Sequence, residues 1–279
     1  MATDTAVLQN DVNQGDAWSG GKPPFKASYG KLMMWYFLLS DAFTFAGFLI
    51  AYGTLRFSMP TWPVPDFVFS TFPGISGHAP LLFVTLMTFI LIMSSVTMVR
   101  AVQEGARENK NGVVKWMAFT IIGGLMFLGC QAWEWTTLIA KEHMSVTTNP
   151  FGTHTESGVY LEGDGHFVEA GDTFEAGETY LIHKHDGEWH PLPYRTEVGE
   201  VKQQTFGPRA FGALFFFITG FHGFHVFSGV LFLLIIMINA ASGLYVRRKN
   251  GYEMVEKIGL YWHFVDLVWV FVFLVFYLL

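Results

Sequence analysis

Six ionisable side chains lie inside long apolar stretches of this chain, where a charge is costly. Carboxylates in such a setting bind protons or pair with a partner, and histidines there ligate a haem, relay protons or bond to a neighbouring helix. The sequence therefore points to three kinds of chemistry: proton transfer, haem ligation and hydrogen bonding between helices. The six residues are Asp41, Glu134, His222, His225, His263 and Asp266.

Spacings of three residues place most of these side chains in pairs, and each pair shares one face of its helix. The pairs are Gln131 with Glu134, His222 with His225, and His263 with Asp266. In the last pair we expect the aspartate to accept the ring N–H of the histidine, which would make both residues tolerable in lipid.

Three interpretations of this polar set remain open. The favoured one is that the residues join neighbouring helices by hydrogen bonds, as polar residues in membrane helices often do. A haem site is the second, and His222 with His263 is the one suitable ligand pair for it. The third is a proton relay through Asp41 and Glu134, since buried carboxylates can titrate near neutrality.

The composition indicates a membrane protein. Of the 279 residues, 51% are hydrophobic, 17% are aromatic and only 14% are charged, against about 25% charged in soluble domains. The single cysteine, Cys130, excludes a disulfide scaffold, and the net charge of −6 argues against a nucleic-acid binder. A disordered chain would not carry so many aromatic residues.

The elements that position the polar residues follow from hydropathy, since about 20 apolar residues are needed to cross a bilayer. The sequence predicts an all-α integral membrane protein with five transmembrane helices and a small β-rich insertion between the third and the fourth. We expect the helices at about 32–56, 80–101, 113–140, 210–242 and 258–279. This divides the chain into an N-terminal tail (1–31), helices 1–3 (32–142), the insertion (143–207) and helices 4–5 (208–279). The tail has no apolar segment typical of a signal peptide.

The basic residues predict the orientation of the chain. Eleven of the 17 Lys and Arg residues lie in the N-terminal tail, in the loop between helices 2 and 3, or in the loop between helices 4 and 5. Since positive loops stay on the cytoplasmic side, we expect a cytoplasmic N-terminus and, after five crossings, a C-terminus outside.

The insertion has its own pattern. Asp164-Gly165, Gly171-Asp172 and Asp186-Gly187 are turn signals that predict short hairpins. The insertion is acidic, with twelve Asp and Glu from Glu142 to Glu200, which favours a surface that docks a partner subunit or another respiratory complex over an inert cap on the helix ends. It also holds six of the ten histidines: His143, His154, His166, His183, His185 and His190. His183 and His185 are two residues apart, a spacing that puts both side chains on one face of a strand and could suit metal ligands. Because no cysteine accompanies them, they are weak candidates.

Four segments together resemble subunit III of haem–copper oxidases. Thr219–Val226 (TGFHGFHV) and Trp262–Trp269 (WHFVDLVW) resemble the last two helices of that family, and Gly129–Trp135 (GCQAWEW) resembles its fifth helix. Leu39–Phe45 (LSDAFTF) resembles its third helix, where a serine precedes an acidic residue. The resemblance covers about 32–140 and 208–279.

The resemblance implies an accessory role without an active site in this chain. Subunit III binds no haem and no copper, both of which belong to partner subunits. It packs against subunit I in a complex with subunits I and II, retains phospholipid, and sustains proton uptake and turnover while oxygen is reduced to water. Under this interpretation the chain resides in a bacterial inner membrane, and its intramembrane polar residues pack and hydrogen-bond within the bundle.

Three departures from the family pattern limit what is carried over. The two N-terminal helices of the common seven-helix form are missing, the usual helix-three glutamate is replaced by the shorter Asp41, and the insertion has no counterpart in the common form. The electron donor, cytochrome c or quinol, is left open because subunits I and II determine it. An unrelated proton or solute transporter is the alternative outside the family.

Overall fold

The structure is a computed structural model that describes residues 28–73, 80–165, 168–185, 187–247 and 251–279. It confirms the predicted fold class: five helices are long and apolar enough to cross a membrane. The helices are α1 (Tyr29–Ser58), α2 (Pro65–Val68), α3 (Leu82–Ala106), α4 (Lys110–Ala140), α5 (Arg209–Ala241), α6 (Leu244–Arg247) and α7 (Glu253–Phe273), the last continued by a π-helical turn (Leu274–Leu278). The short α2 and α6 lie in connections between the long helices.

Helix α7 lies at the centre of the bundle. Its tryptophans Trp262 and Trp269 are fully buried, and it packs against α1, α3 and α5. Small residues allow this close packing: a Cβ added at Gly124 of α4 would lie 2.6 Å from the Trp262 ring. Van der Waals contacts of this kind help to hold membrane helices together, because lipid tails are as apolar as the side chains and the hydrophobic effect does not favour helix association there.

Helix α1 lies at the edge of the bundle, with much of its surface exposed in the single chain. It contacts the bundle through aromatic rings: Phe45 lies 5.1 Å from Phe221 of α5 between ring centroids, and Phe48 lies 5.0 Å from Phe217. The N-cap is Ser28, whose side chain accepts a hydrogen bond from the Lys31 amide. The helix thus begins three residues before the predicted start.

The described residues of the insertion form short strands. These are β1 (Phe151–Thr153), β2 (Gly158–Tyr160), β3 (Thr173–Phe174), β4 (Thr179–Leu181), β5 (His183–His185), β6 (Glu188–His190), β7 (Pro193–Thr196) and β8 (Val201–Gln203). Within those residues the strands pair into three small antiparallel sheets. One sheet contains β3, β2, β7 and β8 in that order, one pairs β1 with β4, and one pairs β5 with β6.

Turn residues behave as the sequence predicts. Gly187 and Gly171 have φ of +90° and +101°, a region that glycine enters without steric cost. Gly187 connects β5 to β6, which pair in register. Three residues or segments named in the sequence analysis, Asp186, His166 and the tail 1–27, lie outside the described residues.

The insertion is attached to the bundle by hydrogen bonds and rings. The Val64 amide donates to Thr179 Oγ1 (2.8 Å), and Asn149 Nδ2 donates to the Pro208 carbonyl (3.0 Å). Phe151 of β1 is buried in the same core as the helices. The insertion is therefore seated on the helix ends rather than tethered loosely beside them.

Candidate functional site

Asp41 and His225 form a pair across the α1–α5 contact. His225 Nε2 lies 2.9 Å from Asp41 Oδ2, and the side chains are 10% and 17% exposed, respectively. Phe45, one turn along α1 from Asp41, packs edge-on against the His225 ring at 5.5 Å. The pair links the edge helix α1 to α5, while Lys31 at the start of α1 forms an ion pair with Glu256 of α7 at 2.7 Å.

The two ring nitrogens of His225 face different helices. Nδ1 lies 2.8 Å from the Phe221 carbonyl oxygen of α5, and a carbonyl only accepts, so Nδ1 carries a hydrogen and donates it. Nε2 faces the Asp41 carboxylate of α1. The ring thus lies between its own helix and α1.

Glu134 of α4 is held by the C-terminal end of the chain. Tyr277, in the π-helical turn after α7, donates its hydroxyl to Glu134 Oε2 at 3.1 Å. Glu134 is 6% exposed and Tyr277 is 1% exposed. The carboxyl group that the sequence analysis singled out thus has a specific partner, which joins α4 to the end of the bundle.

His222 is fully buried against α7. Its Nε2 donates to the Val265 carbonyl oxygen at 3.1 Å, and its ring lies 5.1 Å from Trp269 and 5.7 Å from Phe127 between centroids. His263 instead contacts α3. The two imidazoles face different neighbours, so the structure does not form the facing pair that the haem interpretation requires.

The predicted bond between His263 and Asp266 is wrong. His263 Nδ1 instead lies 2.6 Å from Ser95 Oγ, so this ring is bound to α3. Asp266 is 7% exposed, and neither of its carboxylate oxygens has a hydrogen-bond partner among the described residues.

Further hydroxyls of α3 that the sequence analysis did not identify complete the α3–α7 contact. Trp262 Nε1 donates to Ser94 Oγ at 3.0 Å, and Trp269 Nε1 donates to Thr88 Oγ1 at 3.1 Å. Serine and threonine are common in membrane helices, so their sequence pattern gave no signal. The signal was on α7, where two tryptophans seven residues apart each need an acceptor when buried.

Gln131 of α4 forms a hydrogen bond to α5. Its Nε2 donates to the Thr219 carbonyl at 2.8 Å, and the residue is 6% exposed. Nearby, the Tyr261 hydroxyl of α7 donates to the His225 carbonyl at 3.1 Å. Most of the predicted intramembrane residues thus take part in bonds between helices.

Three of the described histidines of the insertion are neighbours on the β5–β6 hairpin. The rings of His183 and His185 lie 6.2 Å apart, and those of His185 and His190 lie 5.7 Å apart. His183 Nε2 lies 3.3 Å from Asp164 Oδ2. Among the described residues, however, no group of three His, Cys, Asp or Glu side chains is arranged to hold a metal ion. Of the insertion's described histidines, His154 is the buried one, with 4% exposure.

His154 forms the centre of an aromatic core in the insertion. Its ring stacks on Phe174 at 3.6 Å, and its Nε2 lies 2.6 Å from the Tyr160 hydroxyl. Burial lowers the pKa of His154 to about 4 and raises the pKa of Tyr160 to about 12. Both side chains are therefore neutral at physiological pH, which suits a packed core.

Five apolar helices in the described part of the chain, joined by bonds between buried polar groups, define a multi-pass membrane protein. The chain belongs to the cytochrome c oxidase subunit III family, whose model matches residues 5–158 and 200–279. The residues between the two matched ranges lie within the insertion.

Relatives with similar sequences carry names of the same family. A cytochrome c oxidase subunit 3 of Synechocystis sp. is 26% identical, over 99% of this chain and 87% of the relative's length. One of Thermostichus vulcanus is 28% identical, over 87% of this chain and 84% of the relative's length. A cytochrome bo(3) ubiquinol oxidase subunit 3 of Pseudomonas putida is 26% identical, over 89% of this chain and 84% of the relative's length. Similarity thus extends to relatives of both oxidase types.

Proposed function

We propose that this chain is the non-catalytic subunit III of a bacterial cytochrome c oxidase and packs on the haem-bearing subunit I, beside subunit II. The observation that carries the proposal is the family match across all five helices, together with polar residues that serve helix contacts. In this role the chain supports assembly and sustained proton uptake while oxygen is reduced to water. The haem and copper reside in the partner subunits.

Basic residues support an orientation with the N-terminus in the cytoplasm. Lys31, Arg100, Arg107, Lys110 and Lys257 belong to the helix ends and loops opposite the insertion. The positive-inside rule then puts the insertion and the C-terminus outside the inner membrane. The acidic insertion is a surface for a partner subunit or another respiratory complex.

A groove between α1, α5 and α7 suits the acyl chains of a bound phospholipid. It has a volume of about 760 Å³, and its lining is mainly apolar, with Phe37, Phe232 and Ile235 among the wall residues. Lys257 and Asn239 line the groove as well, and both lie near helix ends on the side opposite the insertion. They provide hydrogen-bond donors for a headgroup.

One observation favours a second candidate within the family. Because a ubiquinol oxidase subunit is about as similar as the cytochrome c oxidase subunits, the same chain could serve a quinol-driven oxidase. An unrelated transporter has no such support. Spectra of the purified complex, reduced by cytochrome c or by quinol, distinguish the two donors.

Depletion and reconstitution test the proposed role. The oxidase stripped of this chain should begin turnover at a rate close to that of the intact complex and then lose activity faster during continuous oxygen consumption. Adding back the purified chain with phospholipid should restore the lifetime. An unchanged lifetime after depletion would contradict the role in sustained proton uptake.

A further inference from the structure

A small notch opens between α4 and α5 on the surface of the bundle, about 230 Å³ in volume. Its lining consists of Leu128, Gln131, Ala132, Trp135, Gly220 and Gly223. It lies on a different face from the lipid groove, which shares none of these residues. In a bilayer this notch faces either hydrocarbon or another protein.

Two buried polar atoms in the wall of the notch have no partner among the described residues. They are Gln131 Oε1, an acceptor, and Trp135 Nε1, a donor. The orientation of the Gln131 amide is fixed, because its Nε2 donates to the Thr219 carbonyl, which accepts only. Hydrocarbon offers nothing to either atom, so the isolated chain leaves two hydrogen-bonding groups unsatisfied at membrane depth.

Small residues line the notch, and two of them lie directly against the side chains that carry these atoms. Gly220 and Gly223 are three residues apart on α5, and Ala132 lies exposed on α4 beside them. A Cβ at Gly220 would lie 2.9 Å from the Trp135 ring, and one at Gly223 would lie 3.3 Å from Gln131 Oε1. Surfaces of small residues with polar atoms between them are typical of contacts between membrane helices.

We propose that the notch receives a transmembrane helix of a partner subunit, one that carries a serine or threonine hydroxyl at this depth. A hydroxyl both donates and accepts, so its chemistry matches the acceptor Gln131 Oε1 and the donor Trp135 Nε1. Lipid acyl chains lack such a group. The inference rests on the proposed function and specifies which face of the chain meets the haem-bearing subunit.

Filling the notch from its exposed side tests the docking without disturbing the bundle. Ala132→Phe places a ring in the notch, and Met126→Phe, at an exposed position of α4 outside the notch, is the matched control. The readout is the fraction of chain retained on haem-bearing subunits through detergent washes. Ala132→Phe should reduce retention on the order of tenfold, as overpacking does, and Met126→Phe should retain the wild-type value.

Trp135→Phe tests the hydrogen bond, because it removes the indole N–H donor and leaves a smaller aromatic ring in its place. Retention should fall several-fold, to a smaller extent than in Ala132→Phe. Wild-type retention in Trp135→Phe would overturn the hydroxyl pairing.

Photocrosslinking identifies the occupant. Phe227, exposed and four residues beyond Gly223 on α5, is replaced by p-benzoylphenylalanine, and Phe43 on α1 receives the same probe as a control. An adduct with a haem-bearing polypeptide from position 227 supports the proposal, and adducts with lipid alone overturn it.

Co-purification of the wild-type chain separates this inference from the proposed function. If the wild-type chain itself fails to co-purify with haem-bearing subunits, the proposed function fails too. If the wild-type chain co-purifies and Ala132→Phe does so equally well, this inference alone fails.

Discussion

At the scale of single residues, several of the intramembrane ionisable groups contact a partner on a neighbouring helix. Asp41 of α1 lies 2.9 Å from His225 of α5, whose second ring nitrogen donates to a carbonyl. Glu134 accepts a tyrosine hydroxyl. Neither carboxyl group is joined to the other by a described contact, so each is better explained as a link between helices than as part of a continuous relay.

Glu134 provides the sharpest single-residue test. Glu134→Gln keeps an oxygen that accepts from the Tyr277 hydroxyl, so the variant should assemble like the wild type. Glu134→Ala leaves that hydroxyl without its acceptor and should destabilise the bundle by about 1–3 kcal/mol. Thermal unfolding of the detergent-solubilised chain measures the difference. Equal stability of both variants would show that the bond to Tyr277 contributes nothing.

The sequence predicted which residues matter better than it predicted their partners. Asp41, Glu134 and His222 stand out because charges in apolar helices are rare. Of their partners, His225, which faces Asp41, also stands out, but Tyr277 and the Val265 carbonyl do not, because hydroxyls and carbonyls occur throughout membrane helices. The error at His263 and Asp266 came from pairing within one helix, whereas contact with α3 decided the geometry.

At the scale of elements, the bundle depends on glycines that admit tryptophan rings. Gly124→Leu would force a side chain into Trp262 and Val230, which lie 2.6 and 2.7 Å from the site of a Cβ. The expected loss is about 1–3 kcal/mol or more of stability, as for other overpacked cores. Gly129→Leu on the same helix is the control, because nothing lies within 4 Å of its Cβ position. Similar melting temperatures for the two variants would contradict this packing.

The insertion carries a pH dependence of its own. Burial lowers the pKa of His154 to about 4, from an ordinary value of 6.5, so the folded state disfavours the protonated ring. The stability that the neutral ring allows is complete above pH 6.5 and is lost as the pH falls toward 4. Fluorescence of Trp189 in the insertion should follow this loss.

Substitutions separate His154 from the other histidines in that experiment. His154→Phe removes the titrating group and should flatten the dependence between pH 6.5 and 4. His190→Gln, at an exposed position of β6, leaves His154 in place and should retain the wild-type curve. A pH profile of His154→Phe identical to the wild-type profile would assign the effect elsewhere.

The elements themselves were the part of the fold most accessible from sequence. Long apolar runs predict helices because the bilayer demands about 20 such residues, and the Asp186-Gly187 signal predicts the β5–β6 hairpin. The arrangement of the strands was not predictable, since β2 pairs with β7 across more than thirty residues. Strands of two to four residues carry too little alternation to specify such partners.

At the scale of the whole molecule, the insertion and the bundle are expected to serve different contacts. Deleting 150–203 and closing the gap with a short flexible linker should leave the five helices bound to the haem-bearing subunit and should loosen a partner on the outer face. The reason is that the notch and the intramembrane bonds lie within the helices. Native electrophoresis of the deletion variant reports both contacts, and release of the whole chain would place the insertion in the subunit I interface instead.

The most direct test of the account is to isolate the native complex through an affinity tag on this chain. The eluate should contain haem-bearing subunits in a fixed ratio to the chain and should reduce oxygen. After the subunits are separated, the haem absorption should remain with the partners and not with this polypeptide. A chain that elutes without haem-bearing subunits, or that itself carries stoichiometric haem, would contradict its assignment as an accessory oxidase subunit.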